Sequence, residues 1–431
     1  MSPLPFLILL FPFVATGNSP EKHHRLIIPV VKDPDLGLHY AVVGFGTNPT
    51  VLAKFGLEFG GRFSWYICSD PGYNSSSYRP IRFSSPKCKL ANQASLWDCG
   101  EAAEVMPRCL SDSCGVNVYR PNVRGSLRGG LAQDVMSFIS TPDGLRLGPR
   151  VNSPPLIFAC TESDAIYGLP YSALGMFGLS RNTLSFPTQI SSAFNIRRKF
   201  SLCLPSKPQE SNQGKFLIGG GPYLYPPFKG DVSRLFATTS LVTNPVNRAE
   251  PPIKGAPSDE YFIDVKSIEI DGEPIPLKKS LLSIDKKGNG GIKIGPEIYT
   301  FMHSYIYKPF RKAFVAKAKK RGIVNVSSDR SQFDMCFDRK SIGTAITGPD
   351  MPVIELVLKT GRWRFYGSNL MRDADENTTC LPFIDAGGDF GNGVLLGWHL
   401  LEDTLMEFDL ESSNFSVTSS LLLHNTSCSR S

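Results

Sequence analysis

Long hydrophobic runs are what this chain of 431 residues most clearly lacks. Crossing a bilayer as a helix takes ~20 consecutive apolar residues. The one notable apolar run, Leu4-Pro-Phe-Leu-Ile-Leu-Leu-Phe-Pro-Phe-Val14, is too short for that. Histidine is scarce, with six in all, and the adjacent His23 and His24 do not have the spacing of a metal-ligand set. No metal and no cofactor are therefore expected. Charge is sparse as well: charged residues are 20% of the chain, and 46 Lys+Arg against 39 Asp+Glu leave a net charge of +7. With 41% hydrophobic residues, this is not the charge-rich, apolar-poor composition of a disordered protein. No nucleic-acid-binding module is recognisable, so nucleic acid is not an expected partner. Gly219-Gly-Gly221 lacks the following Lys-Ser/Thr of a phosphate loop. No Ser/His/Asp set can be assembled for nucleophilic catalysis.

Cysteine, proline and glycine, by contrast, are plentiful, at 10, 34 and 39 residues. A chain this long buries a core without covalent staples, so its cysteines point to an oxidising compartment rather than to small size. Cys68, Cys88, Cys99, Cys109, Cys114, Cys160, Cys203, Cys336, Cys380 and Cys428 are all expected in disulfides. Spacing does not determine connectivity. The dense stretch from Cys68 to Cys114 points to local pairing that ties down a long loop, and Cys336 and Cys380 are the natural pair in the second half. The N-terminal apolar run followed by Ala15-Thr16-Gly17 reads as a signal peptide over residues 1–19, although no basic residue precedes it. Sequons at Asn74, Asn325, Asn377, Asn414 and Asn425 agree with a secretory route and are candidate glycosylation sites. The sharpest basic run, Lys317, Lys319, Lys320 and Arg321, reads as the last turn of a helix, where cations suit the dipole. Attraction to acidic wall polymers is the other reading.

Most segments read as short strands bounded by Gly or Pro: 40–46, 62–67, 133–139, 155–159, 215–218, 261–265, 352–358 and 393–397. Helical patterns are few. Ser185–Ser192 opens a short helix after Pro187, and 297–321 is the longest candidate, with a kink expected at Pro309. Met302, Tyr305 and Phe310 read as core. Residues 205–214 are polar and Pro-containing, and 244–258 are proline-rich with no hydrophobic period, so both read as loops. The expected architecture is all-β with a few short helices, in two similar β-lobes of about 200 residues each.

Three segments then carry a family resemblance. Glu58-Phe-Gly-Gly-Arg-Phe-Ser-Trp65 follows an apolar run, Gly175-Met-Phe-Gly-Leu-Ser leads into a helix, and Phe200-Ser-Leu-Cys-Leu204 follows. This order resembles the bilobal pepsin-like aspartic protease fold. It is most similar to the plant branch of basic 7S globulins, carrot-type dermal glycoproteins and inhibitors of xylanases and xyloglucan-specific endoglucanases. Ser75-Ser-Ser-Tyr-Arg-Pro80, Leu131-Ala-Gln-Asp-Val135, Tyr261–Ile270 with Asp271-Gly272, and Gly397-Trp-His-Leu-Leu-Glu-Asp403 extend the likeness over residues 25–431. The resemblance implies a signal peptide at 1–19, an N-terminal lobe at 20–220 and a C-terminal lobe at 221–431. It also implies twelve cysteines; Phe83 and Ala102 stand where two would be, consistent with one bridge lost whole.

The departures from the pattern bear on function. Pepsin-like catalysis needs two carboxylates sharing one proton, one as base on a water and the other as acid. The first position holds Glu58, followed by Phe59 rather than a hydroxyl residue. The second falls at Gly295, which offers no carboxylate; inhibitors of the branch have Ser there. Asp385-Ala-Gly-Gly and Asp285-Lys-Lys-Gly mimic Asp-x-Gly but read as turns. The chain is accordingly expected to be a pseudo-aspartic protease, secreted to the apoplast or cell wall and monomeric. It is expected to bind a glycoside hydrolase such as a fungal xylanase or endoglucanase, with cell-wall polymers as further partners. The resemblance assigns the inhibitory contact to the loop holding Asp389, Phe390, Gly391 and Asn392. A residual aspartic-type endopeptidase and an extracellular storage-like or peptide-binding protein are the alternatives.

Overall fold

The structure, a computed structural model, describes residues 25–70, 72–92, 94–98, 110–119, 126–162, 169–170, 173–208, 213–248, 255–327 and 332–429. The expected signal peptide, His23-His24, Cys99, Cys109 and Ala102 lie outside the described residues.

Apolar, β-branched runs become strands where the sequence places them: His39–Phe45, Leu156–Thr161, Gly214–Ile218 and Val394–Leu396. Other runs are modified. The run 133–139 divides into Ser126–Asp134 and Met136–Ser140. The break falls where the Asp134 carboxylate accepts the Val135 N–H at 2.8 Å. The strand read over 62–67 starts only at Trp65. The long helix is Ser304–Lys320, shorter than 297–321, because Thr300–Met302 is drawn into strand pairing with Phe383–Asp385 and with Val394 and Leu395. His303 caps it by accepting the Tyr305 N–H. Its buried face is Ile306, Tyr307, Phe310, Phe314 and Ala318, at helical spacing. Tyr305 is not core: it is 63% exposed on the first turn, stacked on His303. Lys317, Lys319 and Lys320 form the last turn, as their position beside the dipole's negative end favours.

One strand arrangement occurs twice. Val51–Glu58 runs parallel to Gly175–Gly178, which is antiparallel to Trp65–Ile67, itself parallel to Leu156–Thr161. In the second half Ile292–Ile294 runs parallel to Val394–Leu396, which is antiparallel to Thr300–Met302, itself parallel to Phe383–Asp385. The same three pairings among four strands, in the same order, relate the halves. Glu58 closes the first strand opposite Gly178, and Gly295 follows the equivalent strand, its N–H bonded to Leu396 O at 3.1 Å. Glu58 and Gly295 thus lie at the ends of two strands with matching pairings.

An antiparallel sheet joins the lobes in the order Leu26–Lys32, Gly214–Ile218, Lys199–Cys203, Leu405–Asp409, Asn414–Val417, Ala237–Val242. Above it packs an aromatic cluster of Phe59, Phe200, Tyr261, Trp398, Phe408 and Phe415. Four disulfides are formed among the described residues: Cys68–Cys160, Cys88–Cys114, Cys203–Cys428 and Cys336–Cys380. Local pairing holds for Cys88 but not for Cys68. The parallel register of Trp65–Ile67 on Leu156–Thr161 carries Cys68 to Cys160, with Cα atoms 5.3 Å apart.

Candidate functional site: a carboxylate cluster in the interlobe cleft

Glu58 is 4% exposed. The local backbone explains how it fits. A Cβ on Gly61 would lie 2.6 Å from Glu58 Oε2, so glycine is required for the carboxylate to fold back over the turn. Phe59, where an active pepsin-like site has a hydroxyl, is fully buried and stacks on Trp398 of the other lobe at 4.8 Å between centroids. A hydrogen-bonding residue is thus replaced by a core residue.

Gly295 does not leave an empty niche. A Cβ there would lie 2.5 Å from Glu297 Oε2 and 2.6 Å from Leu395 Cδ2. The space of the second carboxylate is filled by a carboxylate arriving two residues later and by a leucine. Glu260 approaches from the same lobe, its Cγ 3.3 Å from where a Cβ on Gly60 would be. Its carboxylate is ion-paired with Lys293 and accepts the Ser258 hydroxyl at 3.0 Å. The segment around it is laced to the first lobe. Arg62 Nε meets Asp259 Oδ2 at 3.0 Å, the Arg181 N–H donates to Asp259 O at 3.1 Å, and Tyr261 O–H donates to Leu179 O at 2.6 Å.

These groups differ sharply in charge. Burial, reinforced by the Glu260 charge, pushes the Glu58 carboxyl up to about 8. Burial also raises Glu297, whose Oε2 has no hydrogen-bond partner. Burial works against ionisation of Glu260 too, yet Lys293 and Ser258 hold it below the usual carboxylate range. Below pH 8 the buried cluster therefore holds a neutral Glu58 near an ion-paired Glu260. A neutral carboxyl can serve only as the acid half of a proton-sharing pair, and the ionised Glu260 is engaged by Lys293 and the Ser258 hydroxyl. Sequence reasoning reached Glu58 and Gly295; it missed Glu260, Lys293 and Glu297, which no spacing rule connects to Glu58.

The other sequence-derived sites lie elsewhere. In the loop before Gly393, Asp389 is exposed and Phe390, Gly391 and Asn392 are half-buried. Asp385, the last residue of its strand, accepts the Ser304 hydroxyl and the Gly387 N–H of the loop that follows, and Asp285 accepts the N–H groups of Lys287 and Asn289 within a turn. The side chains of Asn74, Asn325, Asn377 and Asn425 are exposed and that of Asn414 is half-buried. Among the described residues no group of three or more His, Cys, Asp or Glu side chains could hold a metal ion, and no helix is long and apolar enough to cross a membrane.

The segment Gly397–Asp403 has a structural role that its spacing did not disclose. Glu402 is buried between Lys32 Nζ at 2.7 Å, His39 Nε2 at 3.8 Å and His399 Nδ1 at 3.9 Å. Burial, aided by Lys32, pushes His39 down to about 3 and His399 down to about 4, while burial raises Glu402 to about 8. Strands of the first lobe and the end of the second thus meet at a buried polar node.

Residues 40–220 match the family model described as xylanase inhibitor N-terminal, and residues 260–419 match xylanase inhibitor C-terminal. The chain is 36% identical over 428 residues to the probable aspartic proteinase GIP2 of Nicotiana benthamiana, covering 98% of this chain and 95% of that one. It is 32% identical over 416 residues to gamma conglutin 1 of Prunus dulcis, covering 95% and 90%. The crystal structure of edgp superposes with a TM-score of 0.88 at 35% identity, covering 95% of this chain and 98% of that one.

Proposed function

Because this chain belongs to the xylanase-inhibitor family of pepsin-like proteins, we propose that it is a secreted, catalytically inactive aspartic protease homologue that binds and inhibits microbial cell-wall-degrading glycoside hydrolases. Xylanases and xyloglucan-specific endoglucanases are the target classes. The protein would act as a monomer in the apoplast, with residues 1–19 removed and the lobes divided near residue 220. The observation that carries the loss of catalysis is the state of the two equivalent positions: a buried, neutral Glu58 and a Gly295 whose side-chain space is taken by Glu297 and Leu395. Inhibition would be steric and electrostatic, with the loop holding Asp389–Asn392 entering the carbohydrate cleft of the enzyme. The test is titration of the purified protein into fungal xylanase and endoglucanase assays. Stoichiometric inhibition of at least one enzyme is expected; no inhibition of either class at micromolar protein would overturn the reading.

A residual aspartic-type endopeptidase is the second reading. It is favoured by Glu260 and Glu297, which supply carboxylates beside Glu58, and by the proteinase name of one relative. It requires acid-pH cleavage of a denatured protein that is abolished by Glu58→Gln. On the inhibitor reading, wild type and Glu58→Gln release no fragments.

A further inference from the structure

The loop Asp385–Gly393 contains no basic residue, yet a cation lies on it. Arg248 reaches the loop from the proline-rich segment at the start of the second half. A Cβ on Gly391 would fall inside van der Waals contact of Arg248 Nη1, so glycine is what lets the guanidinium rest on the loop backbone. Arg248 Nη2 donates to Lys287 O at 2.8 Å and to Asn289 Oδ1 at 2.6 Å. Neither acceptor carries a formal charge, so neither neutralises the arginine, and the side chain is exposed.

The seat is rigid. Asp285 Oδ1 accepts the N–H groups of Lys287 and Asn289, both at 2.8 Å. The Gly290 N–H donates to Gly391 O at 2.9 Å, joining that turn to the loop. Asn244, which is buried, donates from Nδ2 to Gly288 O at 3.0 Å and anchors the segment carrying Arg248. Three chain segments are therefore knitted around one guanidinium. Lys286 and Lys287 are exposed on the same turn, Asp285 turns its carboxylate into that turn, and Asp389 is exposed on the loop.

The geometry points to Arg248 as the cation that this face presents to the paired carboxylates of a glycoside hydrolase cleft, with Gly391 as its seat. The inference rests on the inhibitor reading and assigns its electrostatic contact to a residue outside the loop. The chemistry fits. Glycosidases hold two carboxyl groups on the order of 5–9 Å apart across the scissile bond. An arginine with donors left over binds carboxylates through charge-assisted hydrogen bonds. Prior immobilisation by Lys287 and Asn289 lowers the side-chain entropy lost on binding.

The experiment measures inhibition constants of the full secreted chain against a panel of fungal xylanases and xyloglucan-specific endoglucanases. Wild type, Arg248→Gln, Arg248→Lys and Gly391→Ala are compared, with thermal melts of each. Arg248→Gln is expected to weaken inhibition on the order of 100-fold, mainly through faster dissociation. Arg248→Lys should recover part of this. Gly391→Ala, which displaces the guanidinium and removes no charge, should weaken inhibition in the same direction. In a double-mutant cycle, replacing a catalytic Glu of the hydrolase by Gln should couple to Arg248→Gln. A wild type that inhibits while Arg248→Gln stays within about threefold of it, with an unchanged melt, overturns the role of Arg248 and leaves the inhibitor reading standing. A wild type that inhibits no member of the panel overturns both.

Discussion

At the scale of single residues, the two strands with matching pairings end in a buried glutamate and a glycine. Glu58 keeps the position of a catalytic carboxylate but is neutral because it is buried beside another acid. Gly295 keeps the backbone of the second position while Glu297 and Leu395 occupy its side-chain space. Restoring the second carboxylate by Gly295→Asp should therefore not restore activity. The new Cβ would overlap both neighbours, and the new charge would face Glu297. Overpacking of this kind costs about 1–3 kcal/mol. Denaturant unfolding should show the loss, and an acid-pH assay on a denatured substrate should show no cleavage. Glu58 and the glycines around it were legible in the chain because local order carries them. Glu260 and Lys293 were not, since only the pairing of Phe262–Ile263 with Ile292 and Lys293 brings them together.

Elements explain why this arrangement is tolerated. The turn after Val51–Glu58 contributes Phe59 to an aromatic cluster built on the sheet that joins the lobes. In a proteolytic site that turn would orient a carboxylate; here it fastens one lobe to Trp398 of the other. Phe59→Ala should cost about 3–5 kcal/mol, the range for a buried aromatic truncated in a packed core. A lowered denaturation midpoint with an unchanged m-value would confirm it, whereas a loss below about 1 kcal/mol would show that the lobes are held elsewhere. Helix and strand identities were readable to the extent that they depended on local pattern. The start of Ser304–Lys320 was misplaced because Phe301 and Met302 continue a helical apolar period. Their pairing with Val394 and Leu395, remote in sequence, decides for strand.

For the whole molecule, the buried ionisable groups set a pH profile. Glu58 and Glu402 are raised from 4.5 to about 8. Between those values the folded chain holds protons that the unfolded chain releases, so stability falls as pH rises. His39 and His399 are lowered from 6.5 to about 3 and about 4. There the unfolded chain takes up protons that the folded one refuses, so stability falls as pH drops below 6.5. The two pairs offset one another between roughly pH 4.5 and 6.5 and act alone outside it. Stability should therefore be broadly maximal in that window. It should decline by on the order of 2–4 kcal/mol from pH 6.5 to 8, at up to about 1.4 kcal/mol per group and pH unit. Glu58→Gln should roughly halve the alkaline decline in a series of melts, leave one histidine unopposed so that stability rises with pH between about 4.5 and 6.5, and leave the slope below about pH 4.5 unchanged. Cys203–Cys428, which closes 225 residues across the lobes, is the other whole-molecule restraint. Replacing both cysteines by Ala should cost about 2–5 kcal/mol, read by denaturant unfolding under oxidising conditions.

The chain by itself determined its class: two similar, mainly β halves, cysteines for an oxidising compartment, and one carboxylate where a pair would be needed. Those features are written in local alternation, in turn residues and in the identity of side chains at marked positions. Only the tertiary structure decided the partners. Cys68 left its neighbours for Cys160 because two strands run parallel. His399 and Glu402, before the last strands, became an interlobe node with Lys32 and His39. A loop without a basic residue acquired Arg248 from a distant segment. The long hydrophobic runs whose absence excluded a membrane helix are absent for the same reason: the apolar residues are dispersed among many short strands, and only their folding together places charge against charge.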